Sequence, residues 1–193
     1  MKCMAMEEFD NFGRAFGVGD LISFDLTDGE HMEAIAVKEE SDGMIFCAVD
    51  CLEKEYPMNQ KPTNEGGYEA CELRKVLNRE IVDRFPAEIR EVMVPFENGD
   101  LLRLPTEKEI FGENEYGESE ADTVTQWEPM KLRRNRIAFQ GYNGAWEWYW
   151  LQNRLRDVAS AAIFARVDGA GYADYGYASG SYGVRPAFKI KNL

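Results

Sequence analysis

Two turn signals near the start of the chain constrain its fold more than any other feature. Thr27-Asp28-Gly29-Glu30 and Ser41-Asp42-Gly43 are built from residues that accept positive backbone angles or hydrogen-bond their own main chain. They divide residues 20–49 into three runs, 20–26, 32–37 and 44–49, rich in Ile, Phe, Val, Leu and Met. Runs this short, joined by connections this tight, pair antiparallel with one another. The first 55 residues are therefore predicted to be a β-meander lobe.

Beyond residue 55 the pattern changes in kind. Residues 56–67 hold Pro57, Pro62, Gly66 and Gly67 and read as loop. In 69–84 the apolar positions Ala70, Leu73, Val76, Leu77, Ile81 and Val82 recur at helical spacing, which predicts one amphipathic helix. Phe85-Pro86 ends it, and Pro86 can open a second helix over 87–92 from its first position. Residues 101–104 predict a short strand. Thr106 with Glu109 then forms a capping box for a helix that Gly112 stops. Strands followed by helices and further strands make an α+β class the expectation, with two or three helices and a single domain over 1–193.

The acidic stretch 113–126 reads as a mobile surface loop, because its Glu spacing lacks the turn glycine of a calcium loop. Trp146, Trp148 and Trp150 alternate with Glu147 and Tyr149, so a strand would place the three indoles on one face, as core. Residues 159–167 and 184–190 read as buried strands. Between them, 169–183 is a run of Gly, Ala, Ser, Asp and Tyr.

Charge narrows the partners. The net charge is −13, and residues 1–100 carry 23 acidic against 10 basic side chains. A front half of that sign repels phosphate backbones, so no nucleic-acid partner is expected. Lys131, Arg133, Arg134 and Arg136 are read as a solvated surface turn. No apolar run approaches the roughly 20 residues of a membrane-spanning helix, and Met1 to Asp10 contains no apolar block of a secretory leader. The expectation is a cytoplasmic or virion-associated protein with no membrane partner. Cys3, Cys47, Cys51 and Cys71 lack the paired spacing of a zinc site, and His31 is the only histidine. No metal, cofactor or catalytic residue is expected.

Four blocks carry a resemblance: Ala-Cys-Glu-Leu-Arg-Lys-Val-Leu-Asn at 70–78, Leu-Arg-Leu-Pro-Thr-Glu-Lys-Glu-Ile-Phe-Gly at 102–112, Trp-Glu-Trp-Tyr-Trp-Leu-Gln at 146–152, and Gly-Val-Arg-Pro-Ala-Phe-Lys-Ile at 183–190. In order and spacing they resemble an uncharacterised domain family common in Firmicutes and their prophages. Some members of that family are labelled phage tail components. The resemblance implies a C-type-lectin-like fold. The ending is also similar to those of formylglycine-generating enzymes and diversified receptor-binding proteins. Two positions depart from the family pattern: Gln152-Asn153 stands where Arg-Ser is usual, and Val76 where Trp is usual.

Three functions compete. Formylglycine-generating chemistry needs reactive cysteines in the C-terminal region, and here the last is Cys71. A hydrolase would lack a Gly-x-Ser-x-Gly elbow and would have His31 as its only histidine base, which leaves Asp168 and Asp174 as a chance carboxylate pair. A purely structural virion subunit needs no pocket. The favoured reading is a non-catalytic module that binds a protein or carbohydrate ligand. Its contact residues would be Tyr172, Asp174, Tyr175, Tyr177, Ser179 and Tyr182, since tyrosine gives stiff contact area and Gly and Ser adapt. Arg185 is read as a buried guanidinium paired with a carboxylate such as Glu72 or with main-chain carbonyls.

Overall fold

The computed structural model describes residues 3–5, 16–156 and 161–191. The meander forms where the turns demand it: β2 (Leu21–Asp25), β3 (His31–Glu40) and β4 (Gly43–Ala48) pair antiparallel in sequence order. Gly29, with φ 90°, makes the first turn. β1 (Cys3–Ala5) adds in parallel to β2. The chain's last strand, β11 (Ala187–Lys191), lies between β4 and the short β5 (Leu102–Arg103), completing a six-stranded sheet in the order β1-β2-β3-β4-β11-β5.

Both faces of this sheet are covered, so every residue of β4 is buried. Met44, Phe46 and Ala48 face one core, together with Phe24, Phe188, the helical residues Leu73, Leu77 and Ile81, and Phe85 just after them. Phe188 is at its centre, with ring centroids 5.3 Å from Phe85 and 5.9 Å from Phe46. Ile45 and Cys47 face a second core with Ile110, Trp127, Leu151, Ala165 and Val167. That core is closed by a three-stranded antiparallel sheet of β8 (Tyr149–Arg154), β9 (Ile163–Val167) and β10 (Ala173–Tyr177), in the order β10-β9-β8. A two-stranded hairpin, β6 (Ala138–Phe139) with β7 (Trp146–Glu147), lies beside it. The mix of antiparallel sheets and few helices is α+β.

The helix expected over 69–84 is instead broken. α1 (Gly67–Ala70) ends at Cys71, whose backbone is extended (φ −66°, ψ 152°), and α2 (Glu72–Val76) restarts from it. The Cys71 sulfur accepts from the Arg74 N–H and the Asn59 side chain accepts from the Glu72 N–H, so the new helix start is capped twice. The chain continues as a π-turn (Leu77–Ile81) and a 3-10 turn (Val82–Arg84). The break leaves Ala70 exposed and turns Tyr68 and Cys71 inward. α3 (Ala87–Val92) follows with Pro86 as its cap rather than its first residue. α4 (Glu107–Phe111) has the expected capping box and ends on Gly112 at φ 86°.

The segment 183–186 splices the two sheets. Gly183 C=O accepts from Trp150 N–H, and Gly183 N–H donates to Trp148 C=O, both beside β8. On the other side Val184 C=O accepts from Leu52 N–H and Pro186 C=O from Ala48 N–H. The approach is so close that a Cβ on Gly183 would lie 2.6 Å from the Cys51 sulfur and 2.9 Å from the Trp148 carbonyl oxygen. Arg185 is 1% exposed. It donates to Ala48 C=O at 2.6 Å and to the Tyr149 hydroxyl at 3.1 Å. Its partners are thus a carbonyl and a phenol; Glu72 lies elsewhere, accepting from Gln60 N–H. We predict that Arg185→Ala lowers the free energy of unfolding by about 3 kcal/mol, since it strips two buried groups of their donor. Gly183→Ala should cost about 2 kcal/mol through overpacking. In urea unfolding, the exposed Arg134→Ala should move stability by less than about 0.5 kcal/mol.

Candidate functional site

The run 169–183 holds one strand, β10, between two turns. Asp168 and Tyr172 close a turn in which the Asp168 carboxylate accepts from Ala170 N–H (2.9 Å) and Tyr172 N–H (2.8 Å). Gly171, at φ 80°, completes the turn. β10 then pairs residue for residue with β9, setting Asp174 opposite Arg166 and Tyr175 opposite Ala165. Alternation along the strand and the turns at its two ends sort the six candidate residues into separate places.

Tyr175 and Tyr177 project from one face and are 45% and 65% exposed. The Tyr175 ring meets the Tyr116 ring edge to face, 5.1 Å between centroids. Below them Ile163 and Leu155 form the floor, and Glu115 and Arg156 the rim, of an open groove of about 620 Å³. A groove of that size takes a small organic ligand or a short peptide segment. Burial and the neighbouring Glu115 carboxylate hold the Tyr116 phenol above its ordinary range, so it stays a neutral donor.

Asp174 and Tyr182 face the other way and are structural. Asp174 accepts two hydrogen bonds from Arg166, at 2.8 and 3.0 Å. The Arg166 guanidinium is held between the Tyr182 and Trp148 rings, 4.3 and 5.3 Å from their centroids. Tyr182 also packs on Trp150 at 4.8 Å. Gly176 lies beneath the Tyr182 ring, where a Cβ would come within 2.8 Å of it. Tyr172 stands apart under the Arg133 guanidinium, 5.1 Å from its centroid, and Ser179 is exposed in the turn after β10. The groove thus takes two of the six candidates. Glu115, Tyr116, Leu155, Arg156 and Ile163 join them, brought there by the pairing of β8 with β9, the Gly117–Leu155 bridge and the Glu107 carboxylate that holds Tyr116 N–H.

The tryptophans also separate. Trp150 is fully buried, but Trp148 is only partly so and Trp146 is 55% exposed. The rings stay linked on one side, Trp146 meeting Trp148 at 5.3 Å while Trp148 and Trp150 both meet Tyr182, but burial falls off along the row and Trp146 is not core. The exposed Trp146 pairs across the hairpin with Phe139, itself 43% exposed.

Other chemistry-bearing groups are occupied. Asp168 caps its turn and Asp174 is neutralised, so they do not converge. Glu107, buried, accepts from the Tyr116 and Gly117 N–H groups, and Glu120 accepts from Lys108 N–H, Asn114 and Asn153. The acidic stretch is therefore folded onto α4 and β8 rather than free. Arg133 donates to Ala170 C=O and Arg136 stacks on Phe111, so the basic turn is partly anchored. His31 pairs with Asp25 at 2.7 Å and meets the Tyr142 ring edge to face. Burial raises the thiol pKa of Cys47 and Cys51, and that of Cys71 to about 11, so these three are poor nucleophiles. Among the described residues no group of three or more His, Cys, Asp or Glu is placed to hold a metal ion. Within the same residues no helix is long and apolar enough to cross a membrane.

Behind β10, Glu147 shares a hydrogen bond with Glu55 and accepts from Trp148 N–H at 2.7 Å. Burial, then the second carboxyl, raise its pKa above the ordinary value of 4.5.

The chain matches a domain of unknown function, DUF6273, over residues 42–124. No curated protein and no solved structure matches it. The matched segment runs from β4 to the acidic stretch and so includes Tyr116, while Tyr175 and Tyr177 lie outside it.

The raised Glu147 carboxyl binds its proton more tightly in the folded than in the unfolded chain. Its contribution to stability is therefore present at low pH and is lost as pH rises from 4.5 through the folded value. Glu147→Gln, which keeps the acceptor for Trp148 and adds a donor toward Glu55, should raise the melting temperature at pH 7. In paired thermal melts the difference should vanish near pH 4.

Proposed function

We propose that this protein is a non-catalytic recognition module whose contact surface is the groove between Tyr116, Tyr175 and Tyr177. One observation carries the reading: two tyrosines largely exposed on a regular, paired strand, beside a third, above an apolar floor. Exposed aromatic rings cost apolar surface in water, and a tyrosine on a paired backbone has only two side-chain torsions to fix when a ligand covers it. Glu115 and Arg156 at the rim supply the few polar groups that fix a ligand's orientation. Sugar rings and extended peptides both suit this chemistry. The acidic net charge continues to disfavour nucleic acid.

The lectin-like architecture and a place in a phage tail belong to the same proposal. A sheet closed by the chain's last strand, with a smaller sheet presenting the binding surface, is compatible with it, and the four sequence blocks are its further support. A virion-associated location follows from this reading.

The test is a glycan array and a panel of extended peptides presented to wild type and to Tyr175→Ala/Tyr177→Ala. Neither ring is core, so the double variant should melt within a few degrees of wild type while losing at least tenfold in affinity for any hit, about 1.4 kcal/mol. Tyr182→Ala, by contrast, should unfold several degrees earlier. A ligand whose affinity survives the double variant would sink the assignment of this groove.

A further inference from the structure

We propose that β10 is also a dimerisation edge, on which a second copy of this chain pairs antiparallel about a two-fold axis at Tyr175. β10 is the outer strand of its sheet. Two bonds bracket its pairing with β9: Asp168 N–H to Tyr172 C=O at 2.9 Å and Ala178 N–H to Ala162 C=O at 2.7 Å. In an antiparallel ladder, main-chain groups of successive residues point alternately toward and away from the neighbour. Asp174 and Gly176 therefore face β9, and the N–H and C=O groups of Ala173, Tyr175 and Tyr177 face outward. Among the described residues, one of these six groups has a main-chain partner: Tyr177 C=O accepts from Gly180 N–H.

Natural edge strands are blunted by lysine, proline, bulges or unpaired inward charge. Ala173–Tyr177 has none of these. Its single charge, Asp174, is bound to Arg166, and its pairing with β9 runs without a register shift. The strand is also complementary to itself. Pairing centred on Tyr175 sets that ring against the partner's Tyr175, Ala173 against the partner's Tyr177, and Asp174 against the partner's Gly176. Large meets small, and the carboxylate meets glycine rather than a second carboxylate. The three outward-facing residues would form about six main-chain hydrogen bonds, two for each directly opposed pair. Every other register that brings outward groups together overlaps fewer of the five residues. The interface is isologous, as a two-fold requires, and it sets two tyrosine grooves side by side along one continuous sheet. The inference stands on the strand edge alone and does not require that the groove bind a ligand.

One force opposes it: each copy carries a net charge of −13. Added salt screens that repulsion, so the dimer should strengthen as ionic strength rises.

Sedimentation velocity of the full chain up to about 100 μM, well above a micromolar Kd, at low salt and at high salt, reads the association directly. We expect a monomer–dimer equilibrium shifted toward dimer in high salt and abolished by Ala173→Lys. Disulfide trapping reads the register, in a Cys3→Ser background whose other thiols, Cys47, Cys51 and Cys71, are buried. Directly opposed Cα atoms lie about 5.5 Å apart, within disulfide reach. Tyr175→Cys should therefore cross-link to its own copy. Tyr177→Cys, more exposed but offset from its copy by four residues along the pair, should not. A chain that stays monomeric in high salt overturns the proposal. So does a dimer that survives Ala173→Lys, or equal cross-linking at the two positions.

Discussion

The fold depends on a short crossing in which four residues, Gly183 to Pro186, hydrogen-bond to both sheets at once. Main-chain groups of this segment bond to Leu52 and Ala48 on one side and to Trp148 and Trp150 on the other. The only side chain long enough to reinforce the crossing from within is Arg185, and it is fully buried with a carbonyl and a phenol as partners. A guanidinium is more weakly hydrated than an ammonium and presents several donors in one plane, which makes this burial tolerable. Burial raises the Tyr149 phenol pKa, so the phenol remains neutral and its hydrogen bond to Arg185 is that of a hydroxyl. Because the crossing joins the last strand to the meander, the six-stranded sheet cannot be completed before β11 arrives.

From that crossing the smaller sheet takes its position, and from its position comes the tyrosine surface. β9 is buried on both faces, with Phe164 in one core and Ala165 and Val167 in the other. β10, one strand further out, is past the edge of the second core. Its outward residues are tyrosines and its inward ones an aspartate and a glycine, which leave room for Arg166 and the Tyr182 ring. Packing thus uses half of the strand and leaves the other half to solvent. The same geometry leaves five of the six outward main-chain groups of β10 without a main-chain partner among the described residues, so one strand carries both a side-chain surface and a backbone edge.

Much of the chain was legible residue by residue. The two Asp-Gly turns, the Thr106–Glu109 box and the stop at Gly112 act within four or five residues, and they appear as read. The misreadings share one cause, since periodicity reports which residues prefer burial and not where the chain bends. The stripe over 69–84 was real for Leu73, Leu77 and Ile81. The break at Cys71, however, is supported by Asn59, which no local pattern contains. Three tryptophans at period two do share a side through ring contacts, yet only Trp150 is core, because β7 pairs with β6 in a separate hairpin where Trp146 is 55% exposed. In the tyrosine-rich run the glycines mark a turn at Gly171 and a ring-on-backbone contact at Gly176, neither of which composition distinguishes.

By itself the amino-acid sequence determined the α+β class, the meander, the capped helix, the acidic character and the abundance of tyrosine near the C-terminus. These arise from local propensity, alternation and charge, which need no knowledge of distant neighbours. Only the tertiary structure decided which tyrosines are free. Tyr182 and Tyr175 are seven residues apart in the same biased run; one is pressed against Trp150 and Arg166, the other stands at the rim of a groove. The difference is set by strand order and by partners such as Tyr116, brought from 59 residues away. Exposure is a property of the packed whole, and no window of sequence contains it.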